Sequence, residues 1–284
     1  SIPRGAAAAA GTQERPMSST TAKQNCWGRF ELERSGRGLW RIGPLTFWIE
    51  RTDDEWRVAT RSGDDPWVDA FSVECPIAGA AEGPPDDVAW HRFGFRNVPT
   101  AVVVAPRVAD RAVVSRPEMP VTLPPGQSGR YYVGSPAWVD VRPEGADQPI
   151  LDAPTWRPSD TWFGTTQEGS LSYSTRTRLR RDLSKLPRLR QRIITPVQIE
   201  NEAADSLVLE RLSLPITHLS VFEAEDGYLW TEPVRLRRES SEETGAVEIG
   251  GGPPTEARGA PRLSGPRDKH DDVFVSRLFG TLFE

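Results

Sequence analysis

Lysine, cysteine, histidine and long apolar runs are all scarce in this 284-residue chain, and each scarcity excludes a class of protein. All but three of its 35 basic residues are arginines, and 40 acidic residues leave a net charge of −5, which excludes a globally basic nucleic-acid binder. Two cysteines, Cys26 and Cys75, are too few for a disulfide framework, so we expect reduced thiols, with a single bridge between them as the alternative. No stretch approaches the roughly 18 apolar residues of a transmembrane helix, and no secretory signal is evident.

Motifs for metal binding and catalysis are also missing. The histidines His91, His218 and His270 are far apart in the sequence, and no two stand at ligand spacing, so we expect no metal site. The chain has no Gly-x-Ser-x-Gly elbow, phosphate-binding glycine loop or dinucleotide fingerprint. These absences predict a non-enzymatic protein without a cofactor. A hydrolase using two separated carboxylates is kept as an alternative, because such pairs have no local signature.

Proline, glycine and aromatic residues are abundant, and their placement indicates strands. The 26 prolines and 24 glycines interrupt the chain too often for long helices, while ten Trp and ten Phe can fill a core. Residues 45–51 and 55–59 alternate around an Asp-Asp turn, which predicts a hairpin with Trp56 and Val58 on one face and Arg57 on the other. Further strands are predicted at 28–34, 68–74, 88–95, 100–105, 111–115, 130–134, 136–142, 170–177, 218–223, 228–231, 233–238 and 246–250.

The pattern as a whole predicts an all-β protein made of two β-sandwich-like halves. Residues 193–200 and 207–212, joined by a polar turn, are interpreted as a long hairpin of an immunoglobulin-like sandwich. Pro196 then belongs at an edge or a bulge. The predicted organisation is a disordered or expression-derived tail at 1–24, an N-terminal β domain at 25–148, an immunoglobulin-like β-sandwich at 149–270 and an amphipathic helix at 271–284. The alternative is one continuous large sandwich.

The segment 157–164 is the densest candidate for binding. A turn is predicted at Pro158–Asp160, followed by aromatic residues that point to opposite sides if the chain is extended. One interpretation is a structural corner between the halves. The other is a recognition loop for a small ligand or carbohydrate, with candidate residues Arg157, Ser159, Asp160, Trp162 and Phe163.

The segment 176–192 is the second candidate, because it carries eight basic residues and one acidic residue, a net charge of +7 in an acidic protein. Either acidic strands neutralise it internally, or it docks onto phosphates, anionic lipid headgroups or an acidic protein surface. The segment contains no aromatic residue, which makes single-stranded nucleic acid an unfavourable partner. The candidate residues are Arg178, Arg180, Arg181, Arg188 and Arg190.

The C-terminal residues show a helical pattern of apolar side chains after Asp271 and Asp272, which are suited to cap a helix. This helix either packs back on the sheets or binds in a groove of a partner protein. Its candidate contact residues are Phe274, Leu278, Phe279 and Leu282.

Several of these stretches resemble domain-of-unknown-function family 432 of archaea and bacteria. The resemblance rests on Arg-Ile-Gly-Pro-Leu at 41–45, Glu-Trp-Arg-Val-Ala at 55–59, Ala-Asp-Arg-Ala-Val-Val at 109–114, Ser-Asp-Thr-Trp-Phe-Gly at 159–164, Thr-Pro-Val at 195–197, Leu-Glu-Arg-Leu at 209–212 and Leu-Pro at 214–215. It spans about residues 26–280. The family has no established activity, and its genes often neighbour those of small mechanosensitive channels.

The resemblance therefore implies a cytoplasmic accessory or regulatory protein, held at the inner membrane through a protein partner such as a channel. Segments 176–192 and 271–283 are the expected contacts with that partner.

Overall fold

The computed structural model describes residues 25–76, 79–164, 166, 169–239 and 245–268. The predicted tail at 1–24 and the predicted C-terminal helix lie outside these residues, as do the helix candidates Phe274, Leu278, Phe279 and Leu282. The described residues form strands, irregular connections and three single 3₁₀ turns, which confirms the all-β class. The 3₁₀ turns are Leu183–Lys185, Ile216–His218 and Thr255–Ala257.

The strands follow one another along the whole described chain and are numbered in chain order. They are β1 (Gly28–Glu31), β2 (Arg37–Ile42), β3 (Leu45–Arg51), β4 (Glu55–Ser62), β5 (Phe71–Glu74), β6 (His91–Gly94), β7 (Ala101–Arg107), β8 (Val113–Ser115), β9 (Val121–Leu123), β10 (Ser128–Pro136), β11 (Trp138–Pro143), β12 (Leu151–Pro154), β13 (Ser159–Phe163), β14 (Ser170–Ser174), β15 (Arg192–Asn201), β16 (Leu207–Leu209), β17 (Leu212–Leu214), β18 (Val221–Glu223), β19 (Leu229–Trp230), β20 (Val234–Arg238), β21 (Gly245–Ile249) and β22 (Arg262–Ser264).

An antiparallel five-stranded sheet in the order β5-β2-β3-β4-β6 contains the predicted hairpin. β3 and β4 pair from Leu45 with Ser62 to Arg51 with Trp56, which confirms that prediction. Trp56 and Val58 are fully buried, whereas Arg57 between them is half-buried. The alternation of apolar and polar residues therefore reports the two faces of this sheet correctly.

Trp40 on β2 is fully buried in the largest hydrophobic cluster. Its ring stacks on Phe47, with centroids 5.3 Å apart, and Phe30 meets it edge-on at 5.1 Å. Gly38 leaves room for this ring, because a Cβ at that position would lie 2.4 Å from Trp40 Cζ3. A glycine inside a strand is thus explained here by close approach of an aromatic side chain.

A seven-stranded sheet surrounds β15, and this corrects the predicted hairpin. β15 pairs antiparallel with β10 on one side and parallel with β19 and β20 on the other. The predicted hairpin partner at 207–212 is not beside it, because β16 pairs with β9 and β17 with β8. Both edges of β15 are already occupied, and Asn201 Nδ2 donates to Leu123 O and Asp205 O, both at 2.8 Å, which directs the chain toward β9.

Pro196 lies in the central strand β15, so its predicted edge or bulge position is wrong. It stands opposite Tyr132, whose backbone groups hydrogen-bond with Arg180 and not with β15. On the other side of β15, the pairing with β19 ends at Ile194 and the pairing with β20 begins at Val197. A residue without an N–H fits here because neither neighbouring strand requires a donor from it.

Pairing and packing continue across the predicted boundary between residues 148 and 149. That position lies in the connection between β11 and β12, which pair with each other. β10 from the first half pairs with β15 from the second, and β8 pairs with both β14 and β17. The largest hydrophobic cluster likewise includes residues from both sides, such as Trp40 and Val139 together with Ile193 and Leu236.

Replacing Trp40 by alanine tests the packing of this core. We expect Trp40→Ala to lower the free energy of unfolding by about 3–5 kcal/mol, because it leaves a large cavity among buried side chains. Urea unfolding measures the loss. The control is Trp162→Ala, whose side chain is half-exposed and whose removal is expected to cost less than half as much. Equal losses for the two variants would show that Trp40 is not packed as described.

Candidate functional site

The segment 157–164 is a strand where a turn was predicted. Ser159–Phe163 forms β13 and pairs antiparallel with β14, while the chain bends earlier, at residues 155–156. The predicted turn at Pro158–Asp160 is therefore wrong, because the backbone of Ser159 and Asp160 is committed to the β13–β14 ladder. The opposite orientation of the two aromatic residues is confirmed, since Trp162 is 49% exposed and Phe163 only 1%.

The charged residues of this segment bind one another. Arg157 Nη2 lies 3.0 Å from Asp160 Oδ2, and Arg111 Nη1 lies 3.3 Å from Asp160 Oδ1. Both guanidinium groups also lie over the ring of Tyr173, at 5.5 and 5.3 Å from its centroid. The hydrogen bonds from Arg157 to Asp160 raise the pKa of Arg157. These contacts connect β13 to the strands behind it and occupy the polar groups expected of a recognition loop.

Trp162 and its partner across the hairpin form a small exposed apolar pair. Leu171 stands opposite Trp162 in the β13–β14 register and is 48% exposed. Arg211 Nη2 donates to the carbonyl of Trp162 at 2.8 Å, and the Arg211 guanidinium lies 4.9 Å from the Phe163 ring centroid. Ser159 is exposed at the start of the same strand.

The arginine segment 176–192 connects β14 to β15, and only part of its charge is neutralised. Arg180 pairs with Glu118, and Arg188 pairs with Asp226 at 2.6 Å. The single acid Asp182 accepts from Ser184 N at 2.9 Å and caps the 3₁₀ turn. Internal neutralisation, one of the two interpretations of this segment, therefore accounts for two of its arginines.

Of the five remaining arginines, four lie on aromatic rings supplied by other parts of the chain, and Arg178 is exposed. Within the described residues, none of them has a carboxylate oxygen within 4.0 Å. The contacts are Arg176 over Trp156 at 4.8 Å, Arg181 over Tyr131 at 6.0 Å, Arg190 over Phe71 at 5.3 Å and Arg192 over Trp67 at 5.4 Å, each measured from the guanidinium carbon to the ring centroid. A guanidinium stacked on a ring keeps N–H donors at its edge for another anion.

Two of these arginines line a cleft of about 620 Å³ together with residues from distant parts of the chain. β8 and β14 run parallel, so their carboxyl ends meet at one edge of the sheet, and the parallel bridge between Pro117 and Leu179 extends this alignment. Arg116 thereby comes beside the start of the arginine segment. The cleft is lined by Trp67, Arg116, Ser174, Thr175, Arg176 and Arg178; we call it the arginine cleft.

The loop after β4 contributes Trp67, which forms one wall of the arginine cleft. Gln191 Nε2 donates to Val68 O at 2.6 Å and fixes this loop beside the start of β15. Trp67 is 42% exposed. Behind it lies Arg192, whose side chain is almost completely buried.

Arg192 is a buried cation without a carboxylate partner among the described residues. Its Nη2 donates to Gly134 O at 2.9 Å and to Thr177 Oγ1, whereas its Nε is buried without a hydrogen-bond partner. Burial lowers the pKa of Arg192 from its usual value to about 10. A buried charge with incomplete hydrogen bonding is costly. The fold offsets part of this cost for Arg192 with the Trp67 ring and two oxygen acceptors.

The sequence interpretation found Arg178 but missed Arg116 and Trp67. Arg176 and Arg178 have the two-residue spacing that places side chains on one side of an extended chain. Trp67 follows Asp64, Asp65 and Pro66, outside any alternating pattern. A large aromatic residue in such a polar turn was the available signal for an exposed functional side chain.

In the part of the chain that the structure describes, no helix has the length and apolar character to cross a membrane. Within the same ranges, His, Cys, Asp and Glu side chains do not gather in any group of three that could hold a metal ion.

A matched pair of substitutions tests whether Asp160 acts only as a surface partner for arginines. Asp140 also binds two arginines, Arg142 at 2.8 Å and Arg107 at 3.4 Å, but its side chain is 4% exposed, against 42% for Asp160. We expect Asp160→Asn to cost less than about 1 kcal/mol and Asp140→Asn about 3 kcal/mol or more. Urea unfolding compares them, and equal costs would contradict this distinction.

No curated protein and no solved structure matches the chain. The family described as "Protein of unknown function (DUF432)" matches residues 26–284, which confirms the resemblance carried by the sequence motifs. Because this match covers nearly the whole chain, the protein belongs to the DUF432 family.

Proposed function

We propose that the protein is a non-enzymatic accessory or regulatory protein that binds an acidic region of a partner protein through its arginine segment. The observation that carries this proposal is the group of exposed arginines Arg176, Arg178 and Arg181. Within the described residues, none of them has a carboxylate oxygen within 4.0 Å, although the whole protein is acidic. Exposed, unpaired guanidinium groups are suited to bind carboxylates on another surface.

The shape of the segment also supports docking. It is an irregular connection fixed at both ends, because β14 precedes it and β15 follows it. The aromatic rings beneath Arg176 and Arg181 belong to other strands and loops, so these cations are held in place before a partner arrives. Side chains that are already ordered lose less conformational entropy on binding, which favours affinity.

The partner that we propose is the cytoplasmic part of a small mechanosensitive-type channel. The gene neighbourhood of the DUF432 family supports this choice, and it would place the protein at the inner membrane through its partner. The apolar pattern at 271–283 is proposed as a second contact, outside the described residues. An acidic surface on the channel is required by the charge of the arginine segment.

Co-purification with the channel tests this proposal. The tagged protein is mixed with the detergent-solubilised channel from the same cell, and bound channel is quantified for wild type and for the triple variant R176Q/R178Q/R181Q. We expect about tenfold less bound channel with the variant and weaker wild-type binding at high salt, because the contact is electrostatic.

The matched control for this experiment is R34Q/R96Q/R258Q, which removes the same charge from exposed arginines elsewhere on the surface. It is expected to bind like wild type. Equal recovery of the channel with both triple variants and wild type would contradict the proposal, and so would no recovery with wild type.

A further inference from the structure

We propose that the arginine cleft is a binding site for a small organic phosphate. Arg116, Arg176 and Arg178 would bind the phosphate group, and Trp67 would contact the organic part. This site goes beyond the proposed docking function, because its ligand is a small molecule. Testing it requires only the purified protein and that molecule.

For a small ligand, the charge of the arginine cleft favours a phosphate group over a single carboxylate. Three guanidinium groups line it, no acidic residue does, and none of the three has a carboxylate within 4.0 Å among the described residues. The acids nearest to Trp67 in sequence, Asp64, Asp65 and Asp69, are not part of the lining. A phosphate monoester carries nearly two negative charges and three terminal oxygens, against one charge and two oxygens for a carboxylate, so it can bind more guanidinium groups at once.

Besides its arginines, the cleft contains two hydroxyl groups, those of Ser174 and Thr175. The hydroxyl of Thr175 is occupied, since it donates to Thr177 O at 2.9 Å, with Gly134 O at 3.3 Å as the alternative acceptor, and accepts from Thr177 N at 2.9 Å. The hydroxyl of Ser174 has no hydrogen-bond partner within the described residues, so it can donate to a phosphate oxygen.

The buried cation behind Trp67 is an independent observation that points to an anion. Arg192 has no carboxylate partner within the described residues, and its Nε lacks a hydrogen-bond acceptor. Its guanidinium lies on the Trp67 ring, one wall of the cleft, at 5.4 Å from the centroid. An anion in the cleft would supply a counter-charge on this side of Arg192.

The size of the arginine cleft and the exposure of Trp67 indicate that the ligand has an organic part. A volume of about 620 Å³ is within the range of small-molecule sites and much larger than a phosphate group. Trp67 offers an exposed aromatic surface, and stacking on a side chain of this kind stabilises planar groups such as nucleobases.

Titration of the purified full-length protein tests this site, with AMP and inorganic phosphate as probes and sodium chloride at matched ionic strength as the reference. Tryptophan fluorescence and the melting temperature are both measured. We expect saturable binding of AMP, a higher melting temperature and weaker binding of inorganic phosphate. Trp67→Phe is expected to remove most of the fluorescence change.

The double variant R116Q/R178Q is expected to bind AMP at least about tenfold more weakly, because two charge-assisted contacts are lost. The control R96Q/R258Q, which alters exposed arginines outside the cleft, is expected to bind like wild type. Both arginines of the double variant are exposed, so folding is expected to persist; R178Q alone is measured as a second variant.

Several outcomes would overturn the proposal: no saturable response to AMP, binding of inorganic phosphate but not AMP, the same response with sodium chloride, or unchanged affinity in both arginine variants. None of these results depends on the channel, so failure of this site and failure of the docking proposal are distinguishable.

Discussion

The structure is organised around the antiparallel ladder between β10 and β15. It runs from Ser128 paired with Glu200 to Pro136 paired with Arg192 and joins residues far apart in the chain. Only Ala137 separates β10 from β11, so the same stretch of chain continues into the sheet that contains β7. Buried side chains of both chain halves therefore pack in one cluster. Closing such a long loop has an entropic cost that extensive burial offsets.

The arginine cleft is a consequence of this ladder. Gly134, which accepts from Arg192, belongs to β10, and Arg192 itself begins β15. Gln191, the preceding residue, fixes the Trp67 loop through Val68. Three segments from different regions of the sequence thus converge where the ladder ends, and they bring a buried cation, an exposed aromatic ring and unpaired arginines together. Functional groups held on a rigid scaffold in this way are already ordered for binding.

Local patterns in the sequence predict most of the strands but not their partners. Alternation along 45–59 is sufficient for the β3–β4 hairpin, because both strands and their turn are contiguous. It fails for 193–212, where each strand pairs with a distant one. The charge excess at 176–192 follows from counting residues. Alternation along the chain correctly places Trp162 and Phe163 on opposite sides of their strand. Arg116 and Trp67 could not be assigned to the cleft, since only the non-local pairing of β8 with β14 and the Gln191 contact bring them there.

Hydrogen exchange measured by mass spectrometry over increasing urea concentration tests the claim that the β10–β15 ladder joins both parts of the chain into one cooperative unit. Peptides covering 131–135 and 193–199 are expected to be among the slowest to exchange and to open with the same free energy and urea dependence, because they are paired with each other. Opening of peptides before residue 148 with a free energy separate from that of peptides after it would contradict the claim.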